Sequence, residues 1–184
     1  MKKTVVIYKS KYGNTRFYAE WIARKLNCDV YELSGFNKNR LREYSTVIFG
    51  GGLYGGKING ISFVRNNFSR IDKKRLIVFT VGLENPQMPE TVAKLGKVIE
   101  TTFDREMISL ISFFHFRGGI DYRHLGPIHE FTLYLMKRKL DKKEIEYEEM
   151  TNEEKLLFDT YGKRMDFSDR DAIEPLLKHL RNDY

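Results

Sequence analysis

The sequence predicts an α/β fold built on a doubly wound parallel sheet, and three observations carry that reading. Strand-like apolar runs alternate with stretches of helical spacing up to about residue 116. Three of the runs, at residues 5–8, 46–50 and 76–81, are continuously apolar, as strands covered on both faces must be. Each is followed by a loop rich in glycine or hydroxyl residues, in the place where an open parallel sheet binds its ligand.

The elements follow in order. A first strand at 5–8 leads through a polar loop into a helix at 16–26, on which Trp21, beside Phe17 and Tyr18, reads as core. Strands are expected at 30–33, 46–50, 76–81 and 108–116, with helices at 61–68 and 89–101 between them. Gly118-Gly119 and Gly126-Pro127 then mark a long connection, followed by helices at 128–140, 151–165 and 169–180. Thr151 with Glu154 has the form of a capping box, and Ser168 is a candidate N-cap. The charged piece 141–149 reads as a solvated connection or a short edge element. The whole, 1–184, is expected to be one domain with 117–150 as an insertion within it.

Composition narrows the setting. With 184 residues and 41% hydrophobic content the chain can bury one good core. A lone cysteine, Cys28, excludes an internal disulfide and reads as packing, so a reducing, cytoplasmic setting is the default. Met1-Lys2-Lys3 is basic, but the apolar run after it is far too short for a signal peptide or a spanning helix. The net charge of +7 implies attraction to an acidic partner: a nucleic acid, an anionic membrane surface or a carboxylated small molecule. No nucleic-acid module or aromatic platform with interleaved basic residues occurs, so nucleic acid is not the expected partner. His124, His129 and Glu130 lack a convincingly spaced third ligand, and no metal is expected.

The chemistry concentrates in three loops. In Ser10-Lys11-Tyr12-Gly13-Asn14-Thr15 the hydroxyls of Ser10 and Thr15 can donate, Gly13 can adopt angles closed to other residues, and the N–H groups of the following helix point at an anion. An ordinary strand-to-helix connection capped by Asn14 or Thr15 is the structural alternative. In Gly50-Gly51-Gly52-Leu53-Tyr54-Gly55-Gly56-Lys57 the scarcity of side chains would let backbone approach a flat ring on which Tyr54 could stack. The third loop is Gly82-Leu83-Glu84-Asn85. Gly50, Gly52 and Gly55 also match G-x-G-x-x-G with Asp72 beyond them, but that motif belongs after the first strand of a dinucleotide unit, not the third. Gly56-Lys57 is followed by Ile58, so no Walker motif is present.

Residues 10–15 resemble the flavodoxin phosphate loop, a hydroxyl residue, two variable residues and then Gly-Asn-Thr, and the resemblance extends over about residues 3–116. It implies a flavodoxin-like sheet of order 2-1-3-4-5 with an insertion after strand 5, and FMN at the switch point. Carried over residue by residue, Ser10, Gly13, Asn14 and Thr15, with Lys11 and Tyr12 between them, would hold the FMN phosphate. Gly51, Gly52, Leu53, Tyr54 and Gly55 would flank the isoalloxazine, and Gly82, Leu83, Glu84 and Asn85 would approach from the third loop.

Within that family the chain resembles the flavodoxin-domain, menaquinone-dependent protoporphyrinogen IX dehydrogenases of heme biosynthesis. They share a short Gly/Tyr second loop and a long aromatic and basic insertion after the fifth strand, here Phe113-Phe114-His115-Phe116-Arg117 onward, although their Arg/Tyr/Pro arrangement is not reproduced. The resemblance implies an FMN-dependent oxidoreductase that oxidises protoporphyrinogen IX and passes electrons to a quinone. The alternative is a non-catalytic electron-transfer protein that docks on a redox partner protein.

The flavin itself performs such chemistry, so no general acid or base is expected; Arg117, Arg123 and His124 are the candidate contacts to a carboxylated small-molecule substrate. Lys137-Arg138-Lys139 and Lys142-Lys143 follow an apolar helix holding Phe131, Leu133, Tyr134, Leu135 and Met136. Core packing with a charged end is the favoured reading of that helix; peripheral contact with an anionic membrane is the other.

Overall fold

A computed structural model describes residues 3–181 of the chain; Met1 and Lys2, the start of the basic N-terminus, lie outside them. The described chain forms two compact units, one of residues up to Gly118 together with those from Ser168 onward, the other Gly119–Phe167.

In the first unit the elements are β1 (Thr4–Lys9), α1 (Asn14–Leu26), β2 (Asp29–Glu32), β3 (Thr46–Tyr54), β4 (Lys57–Ile58), α2 (Ser62–Asn66), α3 (Phe68–Ile71), β5 (Arg75–Gly82), α4 (Pro89–Thr102), α5 (Arg105–Leu110) and β6 (Ile111–Arg117). The strands β2-β1-β3-β5-β6 pair in parallel, and β4 folds back on β3 as a two-residue antiparallel flap. With that flap set aside, this is the 2-1-3-4-5 order the resemblance implied.

The three central strands are buried throughout their middles, so alternate side chains feed two cores. Along β5, Ile77, Phe79 and Val81 join Tyr18, Ala19 and Ile22 of α1 on one face, where Leu176, Leu177 and Leu180 also pack. Leu76 and Val78 join Leu41, Val64, Ile71 and Phe103 on the other. Trp21 packs against the first of these cores, as expected.

Several boundaries depart from the periodicity. Residues 108–110 close the short helix α5 instead of opening the fifth strand, because Asp104 caps Arg105–Leu110 by accepting the Met107 N–H at 2.8 Å. The expected helix at 61–68 is broken into α2 and α3 at Asn67, whose side chain donates to the Phe63 carbonyl.

In the second unit β7 (Gly119–Asp121) is followed by α6 (Pro127–Asp141), α7 (Asn152–Thr160) and β8 (Arg164–Asp166), which pairs antiparallel with β7. The helix expected at 151–165 therefore ends early, at Thr160, and its last residues form a strand. Gly162, at φ +73°, turns the chain between them. Thr151 and Glu154 do form the capping box. Residues 141–149 are mostly exposed and end in a 3-10 turn at Tyr147–Glu149.

The last helix, α8 (Glu174–Arg181), belongs to the first unit. It starts well after Ser168, which does not cap it; Asp169 instead accepts the Asp171 N–H ahead of a 3-10 turn. At its far end the Arg75 guanidinium donates to the carbonyls of His179 and Leu180, satisfying groups a helix terminus leaves open.

The second unit carries nine lysines and arginines against eleven carboxylates, so the basic excess of the chain resides wholly in the first. No helix among the described residues is long and apolar enough to cross a membrane, and no group of three or more His, Cys, Asp or Glu side chains there has the makings of a metal site.

Candidate functional site

The three loops singled out by sequence meet at the carboxyl ends of β1, β3 and β5. In the first, Gly13 sits at φ +95° and is the N-cap of α1, with no side-chain cap and no acidic residue in the helix's first turn. Neither Asn14 nor Thr15 is the N-cap of the helix; Gly13 holds that position. Ser10 Oγ accepts the Gly13 N–H at 3.1 Å, which closes the turn and leaves the serine proton available to donate. Thr15 is buried at the same helix end. Donors without an acidic competitor, at the positive end of a 13-residue helix, fit a phosphate monoester.

The second loop is shorter than its composition suggested. Gly50, Gly51 and Gly52 are buried residues of β3, and only Gly55 and Gly56 form the turn to β4. A Cβ on Gly50 would come 2.2 Å from the Phe79 ring, one on Gly51 2.7 Å from the Asn59 carbonyl oxygen, and one on Gly52 2.6 Å from the Tyr54 hydroxyl. The protein's own packing thus crowds all three positions, with backbone the obstacle at Gly51 and aromatic side chains at Gly50 and Gly52. Leu53 and Tyr54 are the half-buried side chains of this loop.

The loops also touch one another. Tyr54 lies edge-on to Tyr12, with ring centroids 5.8 Å apart, and its hydroxyl accepts the Lys11 backbone N–H. Burial, followed by the neighbouring Tyr12, pushes the Tyr54 phenol up to about 12, so it stays protonated. A Cβ on Gly82 would lie 3.6 Å from Leu53, which joins the second loop to the third. The first joins the third through Gly118, whose N–H donates to the Gly82 carbonyl at 2.7 Å and at which a Cβ would come 2.8 Å from Val81 and 3.0 Å from Asn14. Gly118 was read from sequence only as a loop marker.

In the third loop the Glu84 carboxylate turns to α4, accepting from Lys94 at 3.0 Å and from Thr91 at 3.4 Å. Asn85 closes the turn by accepting the Gln87 N–H. Leu83 offers its carbonyl to Arg117 Nε at 3.0 Å, and partial burial lowers the Arg117 pKa. Beneath it, Thr80 Oγ1 and His115 Nδ1 lie 2.7 Å apart; burial lowers the imidazole to about 4, so it is neutral near pH 7. Sequence reasoning missed this pair because its partners come from adjacent strands.

The other candidate contacts belong to the second unit. Arg123 binds Asp121 through Nε and Nη2, each at 3.1 Å, and His124 Nδ1 lies 3.1 Å from the same carboxylate. With these partners, Arg123 first, the Asp121 carboxyl is held well below the usual range. Arg123 and His124 are thus tied to a single acid.

The apolar helix α6 does not pack as expected. Ile128 is 78% exposed and Phe131 61%, and Tyr134, Leu135 and Met136 are exposed with them; only Leu140 is buried. Cys28, by contrast, is partly buried against the first core, and burial pushes its thiol up to about 11, in keeping with packing.

Comparison of the sequence with known proteins identifies a family. An uncharacterised protein of Methanocaldococcus jannaschii is 33% identical over 82 residues, which is 44% of this chain and 55% of that protein. The matched segment thus spans about half the length of that curated relative. Among solved structures, the chain is similar to oxidised Flavodoxin 2 from Bacillus cereus, with 19% identity over 62% of this chain and 84% of that one, and a TM-score of 0.46. It is also similar to the Trp repressor binding protein from Bacillus subtilis, with 17% identity over 63% and 85% of the two chains and a TM-score of 0.47. The family model described as the flavodoxin domain matches residues 5–147, well over half of the sequence, and this protein belongs to that family.

Proposed function

We propose that this protein is an FMN-dependent oxidoreductase whose cofactor is held by the three loops at the carboxyl ends of β1, β3 and β5. The observation that carries the reading is the α1 terminus: Gly13 at positive φ, an available Ser10 hydroxyl and no competing acid. Ser10, Thr15 and the first N–H groups of α1 hold the phosphate. Leu53 and Tyr54 flank one side of the ring system and the backbone of residues 82–85 the other. FMN, when bound, supplies the one- or two-electron chemistry. The chain's residues bind it, exclude water and set the charge around it.

The substrate reading rests on the resemblance to protoporphyrinogen dehydrogenases and on a second compact unit inserted after β6, which a simple carrier does not need. Anaerobic oxidation of protoporphyrinogen IX with a menaquinone analogue as acceptor tests it: flavin-dependent turnover is expected, and a flavin-loaded protein that turns over neither would remove it. One observation favours the non-catalytic electron-transfer reading instead. Arg123 and His124 are exposed but share the Asp121 carboxylate, which offsets the charge they offer to a substrate carboxylate.

Peripheral contact with an anionic membrane belongs to the same proposal. It is supported by the exposed side chains of Ile128, Phe131 and Leu135, in line with exposed Arg138, Lys139 and Lys142. Sedimentation with phosphatidylserine vesicles that is lost in high salt and in a Phe131→Ser variant is expected; no sedimentation at low salt would end this part.

A further inference from the structure

We propose that the first unit carries a second anion site, for a compact oligophosphate, at the opposite end of the sheet from the flavin loops. A half-open depression of about 500 Å³ is lined by exposed Lys38, Asn39, Arg42 and Arg70, half-buried Lys74 and buried Leu41. Lys38 to Arg42 come from the 3-10 turn Lys38–Glu43 that leads into β3; Arg70 comes from α3, and Lys74 immediately precedes β5. The strands β3 and β5 are paired neighbours, with Thr46 opposite Arg75, so the cavity lies at their amino ends.

Three features of this cavity point to a ligand. Its lining holds four cations and no carboxylate. None of the four forms an ion pair among the described residues, although other basic side chains close by do: Arg40 pairs with Glu43 and Asp29. Like charges gathered without a counter-charge disfavour the folded state, and an anion bound among them removes that repulsion. The cluster is also partly fixed in place, since Lys74 donates to the Tyr44 carbonyl and Leu41 is fully buried.

Size and lining select the class. The volume is in the lower part of the range for small-ligand pockets. Two guanidinium groups can each grip a phosphate bidentately, while Lys38 and Lys74 add point charges, a donor set for two or three linked phosphates. No aromatic side chain lines the cavity to stack a base, which disfavours single-stranded nucleic acid. The site is independent of the flavin reading, because it shares no residue with the three loops.

The test is calorimetric titration of the full chain with tripolyphosphate, in excess FMN so that the loop at 10–15 is not the site read. The expected result is saturable 1:1 binding that weakens steeply with salt, with a rise in melting temperature. The double variant Arg42→Ala/Arg70→Ala should lose at least about tenfold in affinity, while Lys97→Ala/Arg105→Ala, which removes the same charge from α4 and α5, should stay within about twofold. Absence of saturation at low salt, or equal losses in both double variants, would overturn the site. Tighter binding of an acidic peptide or an oligoribonucleotide than of tripolyphosphate would overturn its assignment to oligophosphate.

Discussion

At Gly13 the turn from β1 into α1 depends on one backbone angle. At φ +95° an L side chain is strained, so Gly13→Ala is expected to cost about 1–2 kcal/mol of stability. It should also weaken FMN binding more than riboflavin binding, as fluorescence titration would show. His115 gives the clearest pH signature. Its folded pKa is lowered from 6.5 to about 4, so between these values the unfolded chain binds more protons and stability falls as the pH falls. The full loss is on the order of 3 kcal/mol and is complete near pH 4. Denaturant unfolding at pH 7, 5.5 and 4.5 should show this slope in the parent and lack it in His115→Gln. Glu154, held down to about 2 chiefly by Lys143, loses its contribution from about pH 4.5 downward, so at the lowest of these pH values it adds equally to the parent and to His115→Gln and leaves the difference between them to His115.

Among the elements, the capping box of α7 offers a local test. Thr151→Ala should destabilise the second unit by about 1 kcal/mol, seen as faster amide exchange in α7 with flavin binding unchanged. The elements also show what the sequence could and could not reveal. The buried strands β1, β3 and β5 were legible because strands covered on both faces must be apolar throughout, and the start of α1 because a glycine and small polar residues follow the first strand. The edge strand β6 was misjudged at its start, since Ile108, Ser109 and Leu110 suit a helix or a strand and the Asp104 cap decided between them. The glycines of β3 read as loop, whereas they lie within the strand. Composition says that side chains are missing but not what fills the space, and here the fillers are Phe79, Asn59 and Tyr54. Exposure on α6 was equally illegible, because an apolar stripe at helical spacing reads the same whether or not anything covers it.

Considering the whole molecule, charge separates the two units: the basic excess lies with the sheet and its loops, and the insertion is slightly acidic. A positive charge at ~10 Å and an effective dielectric of ~20 favours an added electron by roughly 1.7 kcal/mol, or about 70 mV for one electron. A redox titration is therefore expected to give potentials above those of acidic low-potential carriers, and a strongly negative second couple would argue for a carrier role. Replacing residues 119–167 by a short Gly/Ser link should leave FMN bound and abolish oxidation of an organic substrate; unchanged turnover would assign the chemistry to the first unit alone.

The binding of FMN through its phosphate underlies the functional expectations. The purified apoprotein should be titrated in parallel with FMN and riboflavin, following flavin fluorescence. One equivalent of FMN should bind, at least about tenfold more tightly than riboflavin. No uptake of FMN, or equal affinity for the two flavins, would contradict the assignment of residues 10–15 as the phosphate site.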